Sequence, residues 1–337
     1  MNKLKKKLKR KKMTTTSQQF DIPWVEKHRP TSLSSIIGNQ TIISSLMNIS
    51  QEGNLPNLIL SGPPGTGKTT SIMVLAHELL GQNFKKATIE LNASDDRGLS
   101  VVREKIKNFA MQKIPLPPNR HKIIILDEAD NMTPSAQASL RVTISDYAAT
   151  TRFCFACNDS SKIIEAIQSR CSLIRFSKLK NEEIKNRLIQ VLNEENVRYD
   201  NDGIEAIVES SNGDMRYALN NAQSTFVGFE FINRDNVYKI IDIPKPEIIH
   251  QIIQFCFLGK FNNAVLLVDS LIDDGYNLID FLIVMNRVVQ DSKDIDDKKR
   301  FSTLKMIAEY KMRCLDGINS KCQVYCFISE ILKILKA

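Results

Sequence analysis

The sequence predicts an α/β domain built on a parallel sheet, followed by two helical domains. Three observations carry this expectation. Short apolar runs alternate with amphipathic stretches from Leu58 to Ile174, helical periodicity takes over after Lys178, and a Pro-containing segment, IDIPKPE at Ile241 to Glu247, divides the helical part.

The apolar runs are LILSG, ATIELN, KIIILDEAD, TRFCFACN and SLIRF. Runs of this length and β-rich composition, separated by helical patterns, predict parallel strands buried on both faces by helices. After Lys178 the segment NEEIKNRLIQVLNEENV places Ile184, Leu188, Val191 and Leu192 at helical spacing. A short loop around Tyr199 to Gly203 is expected to lead to GIEAIVESS, and SNGD offers a turn and an N-cap before MRYALNNAQSTF. Proline lacks an amide donor and restricts the residue before it, so IDIPKPE reads as a hinge. The residues beyond it are helical in pattern and carry no chemical motif, so packing, against themselves or against partners, is their default role. The expected division is a basic disordered extension over 1–20, the α/β domain over 21–177, a small helical domain over 178–242 and a last helical domain over 243–337.

A chain of 337 residues is long enough for two or three domains, and 42% hydrophobic with 25% charged residues implies packed cores. The net charge of +8 is not spread over them: residues 1–12 hold eight Lys and Arg and no acid, which leaves 38 basic against 38 acidic residues. Nucleic-acid binding by the folded body then depends on locally sorted charge or on assembly with other chains. The tail fits a nuclear-localisation or polyanion-binding segment, or a solvated extension. It has neither the apolar stretch of a signal peptide nor the amphipathic pattern of a transit peptide. No run of about 18 apolar residues predicts a membrane span. Seven cysteines, an odd number without framework spacing, point to reduced thiols in the cytosol or nucleus. Cys154 and Cys157 form a CxxC, but they lie in an alternating, strand-like segment with no second ligand pair.

The chemistry concentrates in GPPGTGKTT, comprising Gly62, Pro63, Pro64, Gly65, Thr66, Gly67, Lys68, Thr69 and Thr70. The motif lies between a strand and a helix, so its backbone amides can wrap phosphate oxygens. Lys68 adds charge at the outer phosphates and Thr69 offers a hydroxyl to Mg²⁺. The strand KIIILD then ends in Asp127, placed to hold the metal, and Glu128, placed to orient and deprotonate water. The letters DEAD also occur in RNA helicases, but a second sheet domain should then follow, and here the remainder is helical. Asn158 ends another strand, where an amide either senses the γ-phosphate and aligns water or simply makes a turn. Arg170 and Arg216 are cations that could neutralise charge on the transferred phosphoryl group. In NASDDRGLSVVREKIKNFA, Ser94 and Asp95 are expected caps and Val102, Ile106 and Phe109 share a face. Arg97, Arg103 and Lys107 make a basic set suited to phosphate contacts, or an ordinary solvated face.

Together, PWVEKHRP, IIGNQ, SGPPGTGKTT, ELNASDDRGLSVVREKIKNFA, LPPNRHKIIILDEADNMT, IIEAIQSRCSLIRFSKL and NGDMRYALNNAQST resemble the boxes of replication factor C small subunits. These are AAA+ ATPases of the loader that places sliding clamps on DNA. LPPNRHKI, DDGYNLIDF and KMRCLDGIN are most similar to the branch counted second in human and fourth in budding yeast.

The resemblance implies a P-loop AAA+ domain with a parallel sheet, a small helical lid and an all-α collar that joins related chains in a heteropentamer. It implies ATP and Mg²⁺ as ligands, an adenine pocket at Val25, Arg29 and Ile37, and Asn158 and Arg216 as sensors. It makes Arg170 a finger acting in trans on the neighbouring subunit's ATP. As partners it implies the other subunits, a clamp of the proliferating-cell nuclear antigen type and primed template DNA, with the NASDDRGL helix along the phosphates. The setting it implies is DNA replication and repair in the nucleus, without a membrane. The rival readings are an ATP-binding scaffold subunit whose own hydrolysis is dispensable and an AAA+ nucleic-acid motor. Against the usual boxes, His28 stands in place of a tyrosine, and LRVTIS keeps Arg141 but has Val142 and Ser145 where LRRTME has arginine and glutamate.

Overall fold

The computed structural model describes residues 22–93, 99–241, 243–292 and 295–336, with the backbone alone for 99–103. The chain divides into two compact units, one of 22–199 with 207–230 and one of 200–206 with 231–336.

The first unit holds the expected parallel sheet. Strands β1 (Leu58–Ser61), β2 (Thr88–Asn92), β3 (Lys122–Asp127), β4 (Thr151–Cys157) and β5 (Ser172–Arg175) lie in the order β2-β3-β4-β1-β5. Every adjacent pair is parallel. The helices are α1 (Trp24–Lys27), α2 (Gln40–Glu52), α3 (Lys68–Leu80), α4 (Phe84–Ala87), α5 (Leu99–Met111), α6 (Pro134–Asp146), α7 (Glu165–Gln168), α8 (Asn181–Glu194), the latter part of α9 (Asn201–Ser211) and α10 (Met215–Phe229).

Alternation along the strands sorts their side chains into two cores. Leu58, Leu60, Ile123, Ile125, Cys154 and Ala156 pack with Ile43 and Leu46 of α2 and Ile72 and Leu75 of α3. On the other face Ile59, Ile124, Leu126, Phe153 and Phe155 pack with Ile106 and Phe109 of α5, Leu140 and Ile144 of α6 and Ile167 of α7. The central strands are covered on both faces, as their continuous apolar runs require. SLIRF departs from that expectation: β5 is an edge strand and Leu173 is exposed. Burial pushes the Cys154 thiol up to about 12 and the Cys157 thiol up to about 11, so both are protonated strand residues at neutral pH.

The loop expected at Tyr199 to Gly203 is shorter than the sequence suggests, because α9 begins at Asn201. Gly203 sits inside its first turn, where a Cβ would press on the backbone of Ile232 and Asn233. The glycine answers a close approach of two backbones rather than a turn.

The second unit contains α11 (Arg234–Ile240), α12 (Pro246–Phe257), α13 (Phe261–Asp273), α14 (Leu278–Asp291), α15 (Asp297–Leu315) and α16 (Lys321–Lys336). Pro246 opens α12 at a position where a missing amide proton costs nothing. One continuous core joins α12 to α16, with Phe327 edge-on to Phe281 and tilted against Tyr310. Among the described residues no helix is long and apolar enough to cross a membrane.

Candidate active site

Parallel strands deliver their carboxyl ends to one edge of the sheet, and the sequence-predicted residues gather there. β1 runs into the glycine-rich turn, β3 ends in Asp127, and β4, lying between them, ends beside Asn158. Gly65 and Gly67 adopt φ of 66° and 91°, a left-handed backbone open to glycine. At Gly65 there is a second reason: a Cβ would fall on the Asp214 carboxylate. Gly67 is the N-cap of α3, so the amides of that helix terminus open onto the turn.

Lys68, the first residue of α3, is 9% exposed. Its Nζ donates to the carbonyls of Gly62 and Pro63, each at 2.7 Å, and to Asn158 Oδ1 at 3.2 Å. Burial holds its pKa below the ordinary lysine value, against the opposing pull of Asp127 and Asp130. The Thr69 hydroxyl donates to Asp127 Oδ2 at 3.0 Å, and Asp127 Oδ1 accepts the Glu128 amide at 2.9 Å. Glu128 itself stands at φ 51°, an uncommon conformation for a side-chain-bearing residue that costs about 1–3 kcal/mol and persists where the surroundings over-determine it. Its Oε2 accepts from Asn131 Nδ2 at 3.2 Å.

Two further walls enclose a cavity of about 240 Å³ around this edge. One is the amino-terminal segment, with Val25, Arg29 and Ile37 lining it, joined by Glu26, His28 and Pro30. It is anchored by Trp24, whose ring stacks on Phe226 at 5.9 Å and whose amide donates to Gln223 Oε1 at 3.0 Å. The other wall comes from the helices after the sheet: Leu179, Arg187 of α8, and Met215, Arg216 and Leu219 of α10. Asp214 caps α10 by accepting the Tyr217 amide at 3.1 Å, as the SNGD turn predicts.

Pro64, Gly65, Thr66, Gly67, Lys68, Thr69, Thr70, Asp127, Glu128, Asn158 and Arg216 all line the cavity. Gly62 and Pro63 are not among its lining residues and serve as acceptors for Lys68. Arg170 does not join the cavity: it is exposed after α7, where its Nη1 donates to Ala166 O at 2.7 Å. Lys107 is exposed on α5, whereas Ser94, Asp95 and Arg97 and the side chains of Val102 and Arg103 lie outside the described residues. Arg141, Val142 and Ser145 are exposed along α6, with the Ser145 hydroxyl returned to the Arg141 carbonyl at 3.2 Å.

Sequence reasoning missed Arg187 and Gln137. Gln137 is 1% exposed and donates to the carbonyls of Met132 at 3.2 Å and Lys162 at 3.0 Å while accepting the Ile164 amide at 2.8 Å. It thereby ties the segment after Glu128 to the segment after Asn158. The available signal was a polar residue on the stripe of α6 that also carries Leu140 and Ile144. Arg187 had no such signal: it is a half-buried cation at the border of the apolar stripe of α8, where long charged side chains are ordinary.

Residues 58–179 match the ATPase family associated with various cellular activities, 186–227 match the RCF1/5-like AAA+ ATPase lid domain, and 244–330 match the replication factor C C-terminal domain. Replication factor C subunit 2 of Arabidopsis thaliana is 48% identical, over 94% of this chain and 95% of that one. Replication factor C subunit 4 of Saccharomyces cerevisiae is 46% identical, over 94% and 97%. The replication factor C small subunit of Staphylothermus marinus is 38% identical, over 92% and 94%. Among solved structures, the Thermotoga maritima RuvB Holliday junction branch migration motor superposes with a TM-score of 0.52 at 19% identity, over 67% of this chain and 78% of that one. That last likeness is one of fold.

Proposed function

The chain belongs to the replication factor C family of AAA+ ATPases as a clamp-loader ATPase subunit, and from that premise we propose the roles of its residues and its partners. ATP lies in the cavity with its base against Val25, Arg29 and Ile37 and its phosphates on Gly62 to Thr70. The observation that carries this reading is the convergence, at one sheet edge, of Lys68, the Thr69–Asp127 hydrogen bond and the left-handed Glu128.

The Thr69 hydroxyl and the Asp127 carboxylate are hard oxygen donors 3.0 Å apart, a fit to Mg²⁺. Bound there, the ion would neutralise phosphate charge. Glu128 holds the attacking water and takes its proton, while Asn158 and Arg216 read the γ-phosphate from the sheet and from α10. Arg170 has no carboxylate partner among the described residues, and its exposure suits a finger directed at the ATP of a neighbouring subunit.

ATP binding then sets the lid and the neighbour's finger in place, and hydrolysis releases a clamp closed on primed template DNA. Lys107, with Arg97 and Arg103, follows the phosphates without reading bases. The domains act as the AAA+ module over 21–177, the lid over 178–242 and the collar over 243–337. The collar reading is supported by α15, where Phe301, Met312 and Leu315 are 73%, 66% and 67% exposed on one helical face, a stripe suited to neighbouring helices of a heteropentamer.

The test is ATP hydrolysis by the complex purified through this chain, with and without sliding clamp and primed DNA. Strong stimulation by the pair, lost with Arg170→Ala, is the expected result. An intact complex that the pair does not stimulate would overturn the loader reading and favour the scaffold.

A further inference from the structure

Two hydrogen-bond staples tie α8 and the connector before it to the segments that line the cavity. In the connector between β5 and α8, Ser177 meets Asn39, whose Oδ1 accepts from the Ser177 amide at 2.9 Å and from the Ser177 hydroxyl at 2.8 Å, while Nδ2 donates to the Ser177 carbonyl at 3.2 Å. At the end of α8, the His28 ring is buried between two carboxylates: Nδ1 lies 3.0 Å from Glu194 Oε2, and Nε2 meets Glu195 Oε1. Lys27 Nζ shares Glu195 at 2.8 Å, and Arg187 of α8 donates to the His28 carbonyl at 2.9 Å.

The staples differ in one property. An amide keeps the same donors and acceptors at every ordinary pH. A neutral imidazole has one N–H and one lone pair, so it can serve only one of two facing carboxylates; an imidazolium donates to both. Burial of Glu195 works to raise its pKa, but hydrogen bonds from Lys27 and His28 outweigh this and hold it below the usual carboxylate value, so it is an acceptor throughout the neutral range. Charged groups bonded to this segment or lining the same cavity include Lys27, Arg187, the Arg29–Glu26 pair at 3.2 Å and, on α10, Arg216. Side chains of these types do not ordinarily change charge between about pH 6 and pH 8, whereas histidine does.

We propose that His28 is a proton-dependent positioning residue for the nucleotide: its protonated ring clamps the Val25 to Pro30 wall to the end of α8, so nucleotide is held more tightly with the proton on the ring than without it. The inference rests on this cavity being the ATP site. It belongs to this chain's own residue, since the tyrosine usual at this box offers a single donor that titrates near pH 10.

The experiment is equilibrium binding of a fluorescent ATP analogue to the full-length chain at about pH 6 and about pH 8. The terminal phosphate also titrates in this region, but equally in every variant, so the readout is the difference between proteins. The unmodified chain should lose about three- to tenfold more affinity on going to the higher pH than His28→Tyr or His28→Gln. Asn39→Ala should weaken binding at both pH values and keep the pH dependence. Glu195→Gln leaves the ring in place, should flatten the profile as the His28 variants do, and carries the test if those variants fail to fold. Unaltered pH dependence in the folded variants would overturn the proposal. Full affinity in Lys68→Ala would instead refute the nucleotide-site reading beneath it.

Discussion

The two sides of the cavity are built in opposite ways. The side proposed to hold phosphate stands on the ends of β1, β3 and β4, where parallel register fixes the glycine-rich turn, Asp127 and Asn158 relative to one another through the backbone. The opposite side stands on side chains that join segments far apart in the chain: Asn39 to Ser177, His28 to Glu194 and Glu195, and Arg187 to the His28 carbonyl. The first side is rigid because a sheet is rigid. The second holds its shape through a few hydrogen bonds, and it is the side that can respond to conditions.

Lys68→Ala breaks the comparison at its strongest point. It removes the Lys68 ammonium and leaves the Gly62 and Pro63 carbonyls without this donor, so nucleotide affinity should fall more than about 100-fold, read by titration calorimetry. Gln137→Ala tests how far the backbone needs help there. Three buried hydrogen bonds are lost, and urea denaturation should record about 2–3 kcal/mol less stability.

On the other side, Asn39→Ala removes the Ser177 staple from a half-exposed position and should weaken nucleotide binding about tenfold in the same calorimetry, with a smaller effect on stability. The smallest effect is expected from Glu195→Gln on acid stability. The folded-state pKa of Glu195 is lowered, so its contribution is present above the ordinary glutamate value near pH 4.3 and is lost as pH falls through the folded value. Melting curves from neutral pH downward should therefore show less acid-induced loss in the variant, by under about 1 kcal/mol.

The same contrast explains what was legible in the sequence. GPPGTGKTT and LDEAD declare themselves because phosphate chemistry demands those residue types at strand ends, and IIIL and FCFAC declare the strands because both faces are buried. β5 read as a buried strand because apolar content does not distinguish an edge from a centre, and α9 read as starting late because Gly203 imitates a turn signal while serving a close backbone approach. The wall carrying Val25, Arg29 and Ile37 was legible only through family boxes. No periodicity announces that His28 meets residues 194 and 195, since that contact exists only once α1 and α8 have folded. Residues 234–336 show the remaining case: regular helices and an apolar core were plain, while any role of Phe301, Met312 and Leu315 depends on their exposure, which periodicity does not report.

The most direct measurement is single-turnover ATP hydrolysis, together with clamp loading, by a complex in which this chain alone carries Glu128→Gln. The carboxylate is the water-handling group in this account, and the amide keeps its shape, so nucleotide binding should persist while hydrolysis at this site falls by about two orders of magnitude or more and loading slows with it. Hydrolysis lost with loading unchanged would contradict the account and make this chain an ATP-binding scaffold within the loader.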